Sequence, residues 1–138
     1  MLKAYKFRLK PTADQKILIE KHIGSCRYVY NWALAQKIKT YEETAKSVSQ
    51  FDLNRQLTQL KKEQVFLKEV NAQSLQGMTK QVESAFTKFF REKKGFPNFK
   101  SKKNPVQAFP IPQSYYVDFD NNLVKLPKLG NVKAVLHR

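Results

Sequence analysis

Hydrophobic and polar positions change rhythm several times along this chain. At the start, Tyr5, Phe7 and Leu9 alternate with Lys6 and Arg8, a period-2 pattern that predicts a strand over 2–9 with a basic outer face. Pro11 ends it. Thr12 and Gln15 form a capping-box signature, and Ile17, Leu18, Ile19 and Ile23 predict a short first helix closing near Gly24. A second helix is expected from about 25 to 46. There Cys26, Tyr30, Ala33, Leu34, Ile38 and Tyr41 recur every three or four residues, and Val29 and Trp32 widen the face. Leu53, Leu57 and Leu60 mark a third helix starting near Ser49. Asn71 is a good cap for a fourth, running to about Lys93, with Leu75, Met78, Val82, Phe86 and Phe89 on its apolar stripe.

After Lys94 the helical rhythm stops. Residues 95–112 hold four of the six prolines and three phenylalanines, the composition of an extended basic and aromatic linker. Strands are then expected at 115–119, 123–126 and 132–136, with turns at Asp120-Asn121-Asn122 and Leu129-Gly130-Asn131. A lone first strand needs a pairing partner, and only the last strands offer one. The reading is therefore α+β, a four-helix unit inserted into a partial β-barrel or sheet. Residues 1–10 and 113–138 form the partial β-domain, 11–94 the helical domain and 95–112 the linker.

Charge changes the picture most. Twenty-six Lys and Arg stand against eleven Asp and Glu, a net +15. A field of that sign attracts polyanions and favours binding through counterion release. Nucleic acid is the expected partner. Acidic residues on the polar faces of the helices argue against a membrane surface, and no run approaches the roughly 18 apolar residues of a membrane span. The first twelve residues lack the apolar block of a signal peptide, so a cytoplasmic location is expected. The single cysteine, Cys26, and the two histidines, His22 and His137, supply neither a disulfide nor a zinc site.

Five segments line up with a known family: KAYKFRLKPT (3–12), GSCRYVYNWALA (24–35), FLKEVNAQSLQ (66–76), AFTKFFREKKGFPNFKSKK (85–103) and LVKLPKLGNVKAVLHR (123–138). Together they resemble the N-terminal portion of the TnpB/OrfB proteins of bacterial insertion sequences. That resemblance implies a wedge-like β-domain interrupted by a helical recognition domain, the latter also described as a helix-turn-helix. It further implies a guide RNA held by these parts, a short motif read on duplex DNA beside the target, and cutting by a RuvC-type nuclease, whose acidic residues and zinc module are expected beyond Arg138. Base pairing by the guide would supply the remaining specificity. On this reading the chain is the nucleic-acid-binding part without the nuclease.

The residues nominate their own contacts. Lys3, Lys6, Arg8 and Arg27 are candidate phosphate ligands. Arg91, Lys93, Lys94, Lys100, Lys102 and Lys103 are stronger ones, six bases against the single acid Glu92, interleaved with Phe96 and Phe99. The alternative for each is a solvated surface charge, with lysines guarding a strand edge and the phenylalanines plugging a core. Residues 91–103 and 3–8 are expected to share one surface, because the linker must return the chain to its first strand. Gln50, Asn71, Gln73 and Gln76 lie at two helix starts and can contact adenine in a DNA groove, or serve only as caps and surface residues. The resemblance places motif reading at positions matching Gln50, Ala72 and Gln76, and the short Ala72 departs from the longer side chain expected. Asp118 and Asp120 fall in a strand-turn and the other acids are scattered, so no catalytic residue, metal or cofactor is assigned. Two other functions compete: a stand-alone helix-turn-helix regulator binding as a dimer, and a structural RNA-binding protein of ribosomal type.

Overall fold

A computed structural model describes residues 3–93, 95–104 and 107–136. Thr12 accepts a hydrogen bond from the Gln15 backbone N–H, while the Gln15 side chain accepts one from the Thr12 N–H. This closed capping box launches α1 (Ala13–Thr44). The two helices expected on either side of Gly24 are one. Gly24 does not end it because the buried stripe continues through this point at helical spacing: His22, Ser25, Cys26, Val29, Tyr30, Ala33, Leu34 and Lys37. Burial along 32 residues outweighs the roughly 1 kcal/mol that one glycine costs a helix interior. The helix ends at Ala45, which adopts a left-handed conformation and donates its N–H to the Tyr41 carbonyl. Tyr41, expected on the apolar stripe, is half exposed.

Ser49 caps α2 (Gln50–Glu63). A short 3-10 helix, Val65–Glu69, leads to the Asn71 cap of α3 (Ala72–Glu92). The helical part thus has three α-helices and one 3-10 turn among the described residues, not four α-helices. One core joins them: Val29, Ala33 and Leu34 of α1, Leu53 and Leu57 of α2, Leu67, and Leu75, Met78 and Val82 of α3. Lys37 contacts the carbonyl of Val48 and also Glu83, while Thr79 donates to Asn54. Sequence neighbours of 48 and 54 therefore meet those of 83 and 79, so α2 and α3 run antiparallel.

The strands are β1 (Arg8–Lys10), β2 (Tyr116–Asp118), β3 (Leu123–Leu126) and β4 (Gly130–Val135). They form one antiparallel sheet in the order β1-β4-β3-β2. The first strand does pair with the last, Arg8 opposite Val135 and Lys10 opposite Lys133, so the helices are an insertion into the sheet. The strand expected over 2–9 is shorter, Arg8–Lys10; Leu2 lies outside the described residues. The last turn falls at 127–129, slightly before the expected position. In a flat sheet β1 and β2 would sit three strand spacings apart, roughly 14 Å. Yet Phe7, beside β1, meets Phe119, beside β2, with ring centroids 6.2 Å apart. The sheet is curled towards a barrel. Gln15 ties its base to α1, donating to the carbonyls of Leu129 and Asn131.

His22 joins the elements in a way its sequence context did not suggest. It is fully buried, with Nδ1 at 2.8 Å from the Leu18 carbonyl and Nε2 accepting from the Asn71 N–H. That pair of contacts requires the neutral ring with its proton on Nδ1. Burial lowers its pKa, the Leu18 bond opposes this, and the charge of Lys128 adds to the lowering. A histidine whose folded pKa lies below 6.5 favours the native state fully above that value. Its contribution is lost as pH falls from about 6.5 towards the folded pKa. The thermal midpoint should drop between pH 7 and pH 5, and His22→Gln should flatten that dependence. An equal drop in the variant would assign the acid sensitivity to other groups.

Candidate nucleic-acid interface

The linker is held along α1. Lys93 ends α3 in a left-handed conformation, and Phe96 then packs edge-on against Phe86 and Phe89 at 5.6 and 5.1 Å. Phe96 and its neighbours line an apolar cavity of about 270 Å³ with Ile38 and Tyr41. Further on, Asn31 of α1 grips the backbone of Lys100 from both sides. Its carbonyl accepts from the Lys100 N–H at 2.7 Å, and its amide donates to the Lys100 carbonyl at 3.0 Å. The ammonium of Lys100 lies 4.6 Å from the centre of the Tyr30 ring, within cation–π range.

The next turn is closed by its own side chains. Gln107 donates to the carbonyls of Ser101 and Asn104, the Lys103 N–H donates to the Ser101 hydroxyl, and Arg27 of α1 donates to Gln107. Lys102 and Lys103 occupy the exposed tip. The chain then re-enters the protein, where Phe109 meets the His22 ring at 5.1 Å. Pro110 crosses α3 at Gly77, so close that a Cβ at Gly77 would stand 2.6 Å from the proline Cγ.

This path spreads the candidate cations along α1. Arg91 and Lys93 are exposed at the Tyr41 end, Lys100 sits beside Asn31, and Gln107, which holds the Ser101 and Asn104 carbonyls, sits beside Arg27. Lys6 and Arg8 are exposed near the opposite end, where Gln15 meets the sheet; Lys3 is exposed too. From Gln15 to Tyr41 the helix rises roughly 40 Å. The expectation of one patch formed by 91–103 and 3–8 is therefore revised. The linker does return to the sheet, where Ala108, Phe109 and Ile111 share a cavity with Leu9 and Val124, but its charges form a stripe. Lys94 lies outside the described residues.

The polar set at the helix starts divides. Asn71 is buried, and its side chain accepts from the Gln73 N–H and donates to Ser74, so its groups are committed to the cap. Gln73 and Gln50 are half-buried, and Gln76 and Ala72 are exposed. Because α2 and α3 are antiparallel, Gln50 and Gln76 sit roughly 10 Å apart along the helix axes.

Other reactive groups are structural. Burial pushes the Cys26 thiol up to about 12. Asp118 accepts from the Asn121 side chain and from the backbone N–H groups of Asn121 and Asp120, bonds that hold its carboxyl below the usual range. Among the described residues no group of three or more His, Cys, Asp or Glu could hold a metal ion, and no helix is long and apolar enough to cross a membrane. Reasoning from sequence overlooked Lys37, Lys80 and Lys88. Lys37 reads as surface yet is 2% exposed. Lys80 and Lys88 are separated by eight positions on α3, and only the helical repeat shows that they share a face.

The protein is a basic α+β unit with a cationic loop pinned to α1, and similarity places it among transposon proteins. Residues 1–46 match the helix-turn-helix domain model of OrfB from IS605 elements; here they include β1 and the continuous α1. Over 131 residues, 94% of its length, the chain is 36% identical to InsQ of Escherichia coli (strain K12), a protein provisionally named as an RNA-guided DNA endonuclease. It is 33% identical over 103 residues, 73% of its length, to a protein of Streptomyces pristinaespiralis provisionally given the same activity. The chain belongs to the TnpB/OrfB family. It spans 32% and 26% of the lengths of those two relatives.

Proposed function

We propose that this chain is the nucleic-acid-holding part of an RNA-guided DNA endonuclease of the TnpB type. The guide RNA lies against the cationic stripe along α1, and the starts of α2 and α3 contact duplex DNA beside the target. The observation that carries this reading is the two-way hydrogen bonding of Asn31 to the Lys100 backbone. Together with the bonds of Gln107 to the carbonyls of Ser101 and Asn104 it holds residues 100–104 in place before any ligand arrives. A loop already ordered loses less conformational entropy on binding, which a merely solvated connector would not need. Similarity across 94% of the chain favours this reading over a stand-alone regulator. No cutting step is assigned to the described residues, because phosphodiester cleavage by two metals needs converging carboxylates.

Duplex binding has its own test. Gln50→Ala and Gln76→Ala should leave RNA affinity unchanged. Each should also reduce discrimination between a preferred duplex and its scrambled version by about 1–3 kcal/mol if it makes a bidentate contact to adenine. Competition binding with a randomised duplex library measures this. Preference retained in both variants would remove the two helix starts from motif reading.

A further inference from the structure

A second cationic feature lies beside the stripe, on the side of α3 that faces away from the core. Leu75, Met78, Val82 and Phe86 turn inward, while Lys80, Ser84 and Lys88 follow one another at helical spacing on another face. The linker runs opposite them, contributing Lys100, Pro110 and Pro112. Between the two walls is an open groove of about 540 Å³. Its lining contains three lysines and no acid. Among the described residues the ion pairs are Lys21–Glu69, Lys37–Glu83 and Arg55–Asp52, so these three ammonium groups have no carboxylate partner.

The groove is a designed feature of the packing. Its linker wall can approach α3 only because residue 77 is glycine, since Pro110 occupies the space a Cβ would fill. Its Lys100 end is set by Asn31. Lys80 and Lys88 are eight residues apart, a rise of about 12 Å, enough for the two ammonium groups to meet separate phosphates of one strand. The proline rings and the stems of the lysines offer apolar surface to sugars and bases, while the ammonium groups face the phosphates.

We propose that this groove holds a single strand of RNA, with Lys80 and Lys88 on one side and Lys100 on the other as phosphate ligands. The proposal rests on the RNA-holding function above and adds a defined track to it. The test uses the full chain and a fluorescent single-stranded uridine oligonucleotide, with affinity measured across a potassium chloride series. Lys80→Gln with Lys88→Gln removes two contacts and should flatten the slope of log affinity against log salt by about 1.4 units, at about 0.7 per contact. Lys61→Gln with Lys62→Gln removes the same charge outside the groove and should leave the slope unchanged. Lys102→Gln with Lys103→Gln reports on the loop independently. Circular dichroism confirms that the exposed α3 substitutions leave the helices intact.

A slope unchanged in the Lys80/Lys88 variant but flattened in the Lys102/Lys103 variant overturns the groove and leaves the loop function standing. No change in either variant removes both. Equal flattening in the Lys61/Lys62 control reduces the effect to overall charge and also overturns the groove. Tighter binding of a polyglutamate probe than of RNA, lost in the Lys80/Lys88 variant, would make the occupant an acidic protein.

Discussion

Lys37→Ala is expected to destabilise the fold by roughly 2–3 kcal/mol, lowering the thermal midpoint by on the order of 10 °C. The ammonium of Lys37 is 2% exposed and lies 2.6 Å from the Val48 carbonyl, 3.3 Å from the Ser47 hydroxyl and 2.8 Å from Glu83 Oε2. The Glu83 oxygen has no other partner among the described residues and is approached off the ideal hydrogen-bond direction. Removing one member of a buried pair costs about 3–5 kcal/mol when the other stays buried. Glu83 is 39% exposed and can rehydrate, which brings the expectation below that range. Glu83→Ala leaves the buried ammonium without its carboxylate and should cost at least as much, and the double variant little more than Lys37→Ala alone, because the two share one interaction. Thermal and urea melts of the four proteins decide it. A Lys37→Ala protein within about 0.5 kcal/mol of the parent would show that the site collapses freely.

Much of the fold is legible because local rules and tertiary packing agree. The Thr12–Gln15 capping box, the Asn71 cap and the stripe of α3 all hold, and the alternation ending at Leu9 finds its partner in β4. Where they disagree, packing decides. Gly24 looks like a helix end by propensity, yet the buried stripe from His22 to Lys37 carries α1 through it. Lys37 is hidden from sequence reasoning because its burial depends on Val48 and Glu83, residues 11 and 46 positions away that only the fold brings near.

The candidate interface is legible in composition and not in shape. Six bases between 91 and 103 mark the segment, but no local pattern shows where its residues dock. Asn31 holds the backbone of Lys100, a partner that carries no side-chain signature at all. The same holds for Lys80 and Lys88. Their groove exists only because Pro110, far along the chain from α3's start, returns across Gly77.

The larger functional effect is expected from the loop. Neutralising Lys100, Lys102 and Lys103 together removes three potential phosphate contacts held by an ordered turn. Each contact contributes about 0.7 to the salt slope on single-stranded RNA, so the triple variant should lose about 2 units of slope and bind weakly at low salt. Asn31→Ala offers a separate check on ordering: it keeps every charge, so it should weaken binding while leaving the slope close to that of the parent.

The most direct test of the account is therefore a salt titration on guide-like RNA, comparing the parent chain with the Lys100/Lys102/Lys103 triple variant. The account predicts log affinity falling linearly with log salt in both, with the variant's line flatter by about 2 units. Parallel lines of equal slope would contradict it, showing that the loop is a connector and that RNA is held elsewhere.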